Sequence, residues 1–401
     1  MKSGIGRPLA LAVVLAGAAL ETIFARGNAV VAFCGAVAML LCGWAIPLVS
    51  WREAAVRAGV RRPPLPRTHR APHAPGPRPA TVPAPAMVRP RPAEAQADRR
   101  RAVAVAEPVT TAAFPAPPRF GSSGAAANRC PWLLPRTPAP AAVQADEAMV
   151  GGLHVRAASV VGPGHRCQEP AAPRQDAYRL GRDPGGRFLI VAVADGLSSG
   201  ARSELGADVA VRHVVDTVCA ALQADPAADR LDVRAVFSGA AVAMNAAAEG
   251  NGLVPEDLSA VLAVAVVDSR PDEAGDHLLW VGWIGDASVW TLCGREWTVI
   301  AGDPKIKIDG IASNAVAACL PQHPDEATQS LFRVGGGAAI AVVTDGVGDA
   351  LAQIPEANAY LAEHWARPPA LGALLNDVCF DARQHLDDRT AVVLWTPEPQ
   401  P

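Results

Sequence analysis

This 401-residue sequence has few lysines, no cysteine framework and no large net charge. The eight cysteines contain no C-x2-C pair and no regular spacing, which argues against a disulfide scaffold or a zinc ribbon and fits a reducing compartment. The net charge of −3 argues against binding through bulk positive charge, so no nucleic-acid partner is expected. Only three of the 36 basic residues are lysines, a bias that we attribute to genome composition.

Two apolar segments occupy the first 51 residues. Pro8–Phe24 is 17 residues long and carries Glu21 near its end, whereas Val30–Val49 holds 20 residues without a charge. About 20 apolar residues are enough for a helix to cross the hydrocarbon core of a bilayer. Residues 1–51 therefore predict a membrane anchor of one or two transmembrane helices. A cleaved signal peptide and a buried hairpin of a soluble protein are the alternative interpretations.

Arginines are distributed unevenly around the second apolar segment. Arg26 alone lies between the two segments, and five arginines follow the second one closely: Arg52, Arg57, Arg61, Arg62 and Arg67. Because basic residues favour the cytoplasmic side, everything after residue 51 is expected in the cytoplasm. The sequence thus predicts an inner-membrane protein that contacts lipid through its N-terminal part.

Residues 52–147 are basic and rich in proline and alanine. Between Pro63 and Pro140 lie 19 of the 37 prolines, without the period of 3.6 or 2 that marks a helix or strand. Such a composition cannot bury enough apolar surface to form a core. We expect a disordered linker; a structural adaptor that uses this stretch as a ligand is the alternative.

Residues 148–397 have the pattern of one globular α+β domain, with helices grouped against sheets. Short runs rich in Val and Ile predict strands at Leu153–Val161, Phe188–Ala194, Ala260–Val267, Leu278–Ile284, Ser288–Leu292, Ala338–Val343 and Thr390–Trp395. Helical spacing predicts three helices: one with Ser203 as its N-cap, one over Val233–Ala248, and one over Pro369–Leu386.

Aspartates stand at the ends of several predicted strands. They are Asp176, Asp195, Asp286, Asp345, Asp387 and Asp388. Any one Asp-Gly pair can be only a turn, but carboxylates that converge at one sheet edge repel each other unless cations neutralise them. Oxygen ligands are preferred by hard ions such as Mg²⁺ and Mn²⁺, and no His/Cys cluster in the sequence competes for a softer metal.

At these residues the domain resembles the metal-dependent PP2C-type (PPM) serine/threonine protein phosphatases. It is most similar to a bacterial subgroup whose first motif reads G-x-x-H…Q-D-A. The motifs occur in family order, and they are Gly162–His165 with Gln175–Ala177, Val193–Ser198, Ile284–Asp286, Val343–Val347 and Asp387–Thr390. The resemblance covers the third part of the chain alone.

The resemblance implies a β-sandwich flanked by helices and a site at one edge of it, with two bridged Mg²⁺ or Mn²⁺ ions. By motif match, Asp195 would bridge the ions, and Gly196 would lend its carbonyl oxygen. Asp345 and Asp387 would hold one ion, and Asp176 the other, directly or through water. Asp286 matches the family position linked to a third, weaker metal. A water activated by the two metals would attack the phosphate, so no protein nucleophile is needed.

Three family positions differ in this sequence. Ala171 and Ser288 stand where many members have arginine, and Leu197 stands where some have a histidine proposed as general acid. We therefore take His165 and Arg174 as the candidates for phosphate contact and catalysis, although a loop residue and a solvated charge are their plain alternatives. The stretch Asp303–Arg333 has no clear pattern and is a candidate flap over the site.

These observations predict a metal-dependent phosphatase that removes phosphate from phosphoserine and phosphothreonine at the cytoplasmic membrane face. Its expected partners are phosphorylated proteins, with a Ser/Thr kinase or the targets of one implied by the resemblance. The alternative is a pseudophosphatase or signalling adaptor that binds phosphoproteins without hydrolysing them. Retention of all five motif carboxylates favours the enzyme.

Overall fold

A computed structural model describes residues 115–121, 131–303, 305, 307–308, 311–312, 316–382 and 385–398. All of them belong to the second of two units into which the chain divides, Val105–Pro401. The predicted membrane anchor lies outside the described residues, and so does most of the predicted linker. In the described part, no helix is long and apolar enough to cross a membrane.

Fifteen strands and six α-helices occur among the described residues. The strands are β1 (Arg119–Phe120), β2 (Val143–Val150), β3 (Leu153–Val160), β4 (Ala177–Arg182), β5 (Phe188–Gly196), β6 (Ala260–Asp268), β7 (His277–Ile284), β8 (Ser288–Cys293), β9 (Glu296–Ala301), β10 (Lys307–Ile308), β11 (Ile311–Ala312), β12 (Thr328–Val334), β13 (Ala339–Val343), β14 (Asp381–Ala382) and β15 (Arg389–Trp395). The helices are α1 (Pro163–Arg166), α2 (Ser203–Ala224), α3 (Val233–Gly250), α4 (Asp345–Gln353), α5 (Pro355–His364) and α6 (Leu371–Val378).

Two antiparallel sheets form the centre of the fold. One has the strand order β12-β7-β6-β5-β4, and the other has the order β2-β3-β15-β13-β8-β9. Helices α2 and α3 cover the outer face of the first sheet, and α4, α5 and α6 cover the second. This is the β-sandwich flanked by helices that the motifs implied.

Strand β5 shows how the sequence builds these layers. Successive side chains of a strand point to opposite faces of a sheet. Leu189, Val191 and Val193 accordingly enter the core between the two sheets, whereas Ile190 and Ala192 pack beneath the helices. All of them are fully buried or nearly so, and this explains why the strand has an unbroken apolar run.

All seven predicted strands are present. The structure differs from the predictions at one helix end, at one N-cap and in several elements that were not predicted. The predicted helix Pro369–Leu386 is wrong beyond Val378, because β14 follows at Asp381. Ser203 is the first residue of α2 rather than its N-cap, which is Arg202. Helices α4 and α5 and strands β2, β9 and β12 have mixed polar and apolar sequences and were not predicted.

The folded part also starts earlier than residue 148, where we expected the domain to begin. Strand β2 starts at Val143 and pairs with β3 over its whole length. Further upstream, β1 pairs in parallel with β14 and places the buried ring of Phe120 against Phe380. Part of the stretch assigned to the linker therefore belongs to the globular fold.

Candidate metal centre

Four chain segments bring aspartates to one edge of the sandwich. Asp195 is the penultimate residue of β5, and Asp286 follows β7 in the turn to β8. Asp345 is the first residue of α4, two residues beyond the end of β13, and Asp387 precedes β15. Because β13 and β15 are antiparallel partners, with Val343 opposite Ala391, the end of one strand lies beside the start of the other.

The four aspartates line one cavity. Asp195, Gly196, Asp286, Asp345 and Asp387 all contribute to its wall, and its volume is about 670 Å³. A smaller cavity of about 280 Å³ shares Asp345 and Asp387 with it. The two cavities therefore adjoin, and Asp345 and Asp387 lie where they meet.

Lys305 and Asp349 belong to the smaller cavity and had not been singled out. The Nζ atom of Lys305 lies 2.7 Å from Asp345 Oδ2, 2.9 Å from Asp349 Oδ2 and 3.7 Å from Asp286 Oδ2. Asp349 follows Asp345 by one helical turn in α4, so both carboxylates face the same way. The four-residue spacing from Asp345 was the sequence signal that could have identified Asp349. No sequence pattern pointed to Lys305.

Asp387 and Asp388 are adjacent in sequence but have different surroundings. The Asp387 side chain is 40 % exposed and lines the cavity. The Asp388 carboxylate is buried and accepts the backbone N–H groups of Gly162 and Gln175, each at 2.6 Å. Asp388 therefore ties the first-motif loop to the start of β15, while Asp387 is available to a ligand.

Asp176 lies behind the cavity wall and is fully buried. Its Oδ2 atom accepts the hydroxyl groups of Thr390 at 2.7 Å and Thr344 at 2.8 Å. Its Oδ1 atom is buried and has no hydrogen-bond partner in the part of the chain that the structure describes. Burial, followed by the charge of Asp388, raises the pKa of Asp176 well above its usual range. One carboxylate oxygen thus remains for a cation or a water.

Arg174 is not among the residues that line the two cavities, and its predicted phosphate contact stays a prediction. Its guanidinium donates to Ala141 O at 3.0 Å, to Gln144 Oε1 at 3.1 Å and to Ser159 Oγ. Ser159 Oγ is 2.6 Å from Thr390 Oγ1, which donates to Asp176. Arg174 therefore supports Asp176 from behind through a chain of hydroxyl groups.

His165 does reach the site. It lines the smaller cavity, its Nδ1 atom is 3.0 Å from Asp388 Oδ1, and its Nε2 atom is 3.9 Å from Asp387 Oδ1. Burial acts to lower the pKa of His165, but the hydrogen bond and charge of Asp388, together with Asp387 and Asp176, raise it to about 9. His165, Asp387 and Asp388 offer ligand atoms within 4.8 Å of one another. The backbone N–H groups bound by Asp388 favour a structural role for Asp388, while His165 and Asp387 line the cavity.

The carboxylates of the site repel one another in the protein alone. Burial, followed by the charge of Asp345, raises the pKa of Asp195 well above its usual range, and the same two causes raise that of Asp387. Burial and Asp345 also raise the pKa of Asp286 to about 6, against the opposing charge of Lys305. The site is thus an accumulation of negative charge with too few cations to balance it.

The donor atoms fit hard divalent cations. The aspartates that line the larger cavity offer carboxylate oxygens, and the buried Oδ1 atoms of Asp176 and Asp345 have no hydrogen-bond partner among the described residues. Oxygen-only ligation is what Mg²⁺ and Mn²⁺ prefer. An unpaired buried carboxylate oxygen is costly unless a cation or water takes it.

The sequence matches one protein family across most of the domain that carries this site. Residues 161–376, more than half of the chain, match the family model described as protein phosphatase 2C. The chain belongs to the protein phosphatase 2C family. This membership confirms the resemblance seen in the motifs, and with it the expected enzyme class, a protein-serine/threonine phosphatase. No curated protein matches the sequence significantly.

Solved structures with a similar fold include several phosphatases. RsbX in complex with magnesium is 13% identical, and the alignment covers 63% of this chain and 100% of RsbX at a TM-score of 0.42. The catalytic domain of the phosphatase PstP with two manganese ions is 20% identical, with 61% and 99% covered and a TM-score of 0.42. The serine/threonine phosphatase of S. agalactiae is 14% identical, with 63% and 99% covered and a TM-score of 0.43.

Proposed function

We propose that this protein hydrolyses phosphoserine and phosphothreonine in protein substrates with Mg²⁺ or Mn²⁺ as its cofactor. The observation that carries the proposal is the convergence of Asp195, Asp286, Asp345 and Asp387 on one cavity. Membership of the protein phosphatase 2C family supports the reaction. The carboxylate oxygens of these four aspartates support the choice of metal.

Each carboxylate has a position suited to a distinct part of the work. Asp195 and the backbone of Gly196 would hold ions at the end of β5, and Asp345 and Asp387 would hold an ion where the two cavities meet. Asp176 would act from behind, through its unpaired Oδ1 atom or a water. Two such ions, when bound, would lower the pKa of a shared water and polarise the phosphate.

The protein's own part in the reaction is to hold these carboxylates rigidly and to orient the phosphate. Rigidity comes from the buried chain Arg174, Ser159, Thr390 and Asp176, and from Asp388, which fixes Gly162 and Gln175. His165 lies at the edge of the cavity beside Asp387 and is the candidate to meet an entering phosphate. Ligands held in this way are preorganised for the transition state.

The place of action proposed is the cytoplasmic face of the inner membrane. The support is the uncharged segment Val30–Val49 and the arginines that follow it. Phosphorylated proteins, among them a Ser/Thr kinase or its targets, would be the partners, and lipid would contact the N-terminal anchor. A reporter domain fused after residue 62 should be active in the cytoplasm; activity in the periplasm would overturn this orientation.

Hydrolysis of p-nitrophenyl phosphate by the full chain tests the function directly. Activity should disappear in EDTA and return with Mn²⁺ or Mg²⁺, and Asp195→Asn should lower it by about 100-fold or more. Release of phosphate from phosphothreonine peptides, with phosphotyrosine peptides as the comparison, tests the substrate class. Full activity in EDTA would overturn the proposal.

The alternative is a protein that binds phosphoproteins without hydrolysing them. The salt bridges from Lys305 to Asp345 and Asp349 favour it, because they engage two carboxylates of the site. The same assay separates the two functions. A protein that binds phosphopeptides but releases no phosphate with Mn²⁺ would be such a binder.

A further inference from the structure

The site contains a cation that belongs to the chain itself. Lys305 Nζ is within 4 Å of the carboxylates of Asp286, Asp345 and Asp349, and its side chain is only 11 % exposed. An ammonium group held by three carboxylates in a nearly closed position neutralises charge there much as a metal ion would. Lys305 therefore bears on how the site binds metal ions.

Asp345 divides its two oxygens between different neighbours. Oδ2 receives the hydrogen bond from Lys305 Nζ at 2.7 Å, whereas Oδ1 is buried and has no hydrogen-bond partner in the described part. The lysine therefore takes the side of Asp345 that faces Asp286 and Asp349. It leaves the other oxygen available to an ion held jointly with Asp387.

Asp303, two residues before Lys305, holds this segment of the chain in place through hydrogen bonds. The Asp303 carboxylate accepts Trp283 Nε1 at 3.1 Å and the Gly285 N–H at 3.2 Å, and the Asp303 N–H donates to Gly285 O at 2.9 Å. These three bonds fasten the segment to the turn that carries Asp286. Because Lys305 follows Asp303 by two residues, it is held close to the same turn.

The choice of lysine is itself informative. Only three of the 36 basic residues in this chain are lysines, so arginine is the ordinary basic residue here. An ammonium is a compact point charge with three donors, whereas a guanidinium is a planar fork. A compact charge suits a position surrounded by three separate carboxylates.

We propose that Lys305 is the resident cation of the Asp286–Asp345–Asp349 cluster, so that this site binds two divalent ions and the chain itself supplies the third cation. This inference rests on the proposed metal-dependent function. It makes Lys305 a positioning residue that sets the metal stoichiometry. The phosphatase would then need no third, weakly bound ion.

The experiment counts Mn²⁺ ions bound to the full chain by equilibrium dialysis, with free Mn²⁺ measured by electron paramagnetic resonance. The wild type should bind two ions. Lys305→Met should bind a third ion, and the added change Asp349→Asn should weaken that third ion by about tenfold or more. Lys307→Met, which removes the same charge two positions away, is the matched control.

The outcomes separate the two proposals. Three ions on the wild type, or identical stoichiometry and affinities in the wild type and Lys305→Met, would overturn the role of Lys305 and leave the phosphatase function standing. Failure of every variant to bind Mn²⁺ would overturn both. Circular dichroism of each variant establishes that it is folded.

Discussion

Adjacent residues in this protein have separate tasks, and the clearest case is Asp387 beside Asp388. One carboxylate lines the cavity, and the other is buried among backbone N–H groups of the first-motif loop. The family resemblance assigned Asp387, three residues before Thr390, to one of the ions. The buried hydrogen bonds of Asp388 predict that its substitution costs stability.

Substitutions at this pair should affect different measurements. Asp387→Ala removes a ligand from the cavity, so turnover with Mn²⁺ should fall by about 100-fold or more while the urea midpoint changes little. Asp388→Asn replaces one accepting oxygen with a donor and leaves a backbone N–H unpaired, which should cost about 1–3 kcal/mol of stability. Mn²⁺-dependent kinetics and urea unfolding of both variants check this. Loss of turnover without loss of stability in Asp388→Asn would show that Asp388 is itself a ligand.

At the scale of elements, the site depends on close backbone approach at the start of β15. A Cβ atom at Gly162 would lie 2.0 Å from Asp387 O, and one at Gly346 would lie 1.9 Å from Asp388 O. The Asp387-Asp388 segment is therefore enclosed between the loop before α1 and the first turn of α4. Only glycine leaves room for it.

Gly346→Ala should therefore displace the Asp387 segment. A contact of this kind requires the backbone to shift, so the affinity for Mn²⁺ should fall by about tenfold or more, together with activity. Calorimetric titration with Mn²⁺ measures the change. Gly250→Ala at the end of α3 is the control, because a Cβ atom there meets nothing within 4 Å. Unchanged Mn²⁺ affinity in Gly346→Ala would mean that the segment adapts without moving Asp387.

At the scale of the whole molecule, bringing these charged groups together lowers the stability of the metal-free protein. The pKa values of Asp195 and Asp286 are raised chiefly by burial, and that of His165 by its acidic neighbours. A group whose pKa is raised by folding adds stability below its unfolded pKa and loses it as the pH rises through its folded pKa. All three groups therefore make the metal-free protein less stable as the pH increases.

In EDTA, the free energy of unfolding should be higher at about pH 5 than at about pH 8. For Asp286 the loss falls between about 4, its ordinary value, and about 6, and for His165 between about 6.5 and about 9. Urea unfolding at the two pH values measures it. Asp195→Asn should raise the stability at the higher pH, because it removes one repelling charge. Excess Mn²⁺ should reverse the trend, since its ligands must be deprotonated; a flat profile in EDTA would contradict the argument.

The extent of the folded unit gives a second test at this scale. A chain that starts at residue 115 retains β1 and β2, whereas one that starts at residue 148 loses most of β2. The shorter chain exposes the edge of β3 and removes Ala141 and Gln144, two of the three acceptors of Arg174. We expect it to melt several degrees lower, as a loss of about 1–3 kcal/mol implies. Equal melting temperatures in calorimetry would place the boundary at residue 148 after all.

By itself, the sequence determined the seven apolar strands, the helices α2 and α3, and the aspartates at the strand ends. These features are local: a period of 2 or 3.6, and a carboxylate next to a turn, can be read from neighbouring residues. Strands such as β2 and β12 were not predicted, because the polar residues on their exposed faces interrupt the apolar run that marked the other strands.

Tertiary structure alone decided what each charged side chain does. Arg174 is two residues from Asp176, yet it acts on that carboxylate through Ser159 and Thr390, which lie on other strands. Lys305 reaches Asp286, Asp345 and Asp349 across the fold, from a stretch without any recognisable pattern. The physical reason is that electrostatic and hydrogen-bonding partners are set by distance in space. Sequence spacing reports that distance within one helix or strand, and the packing of the two sheets sets it everywhere else.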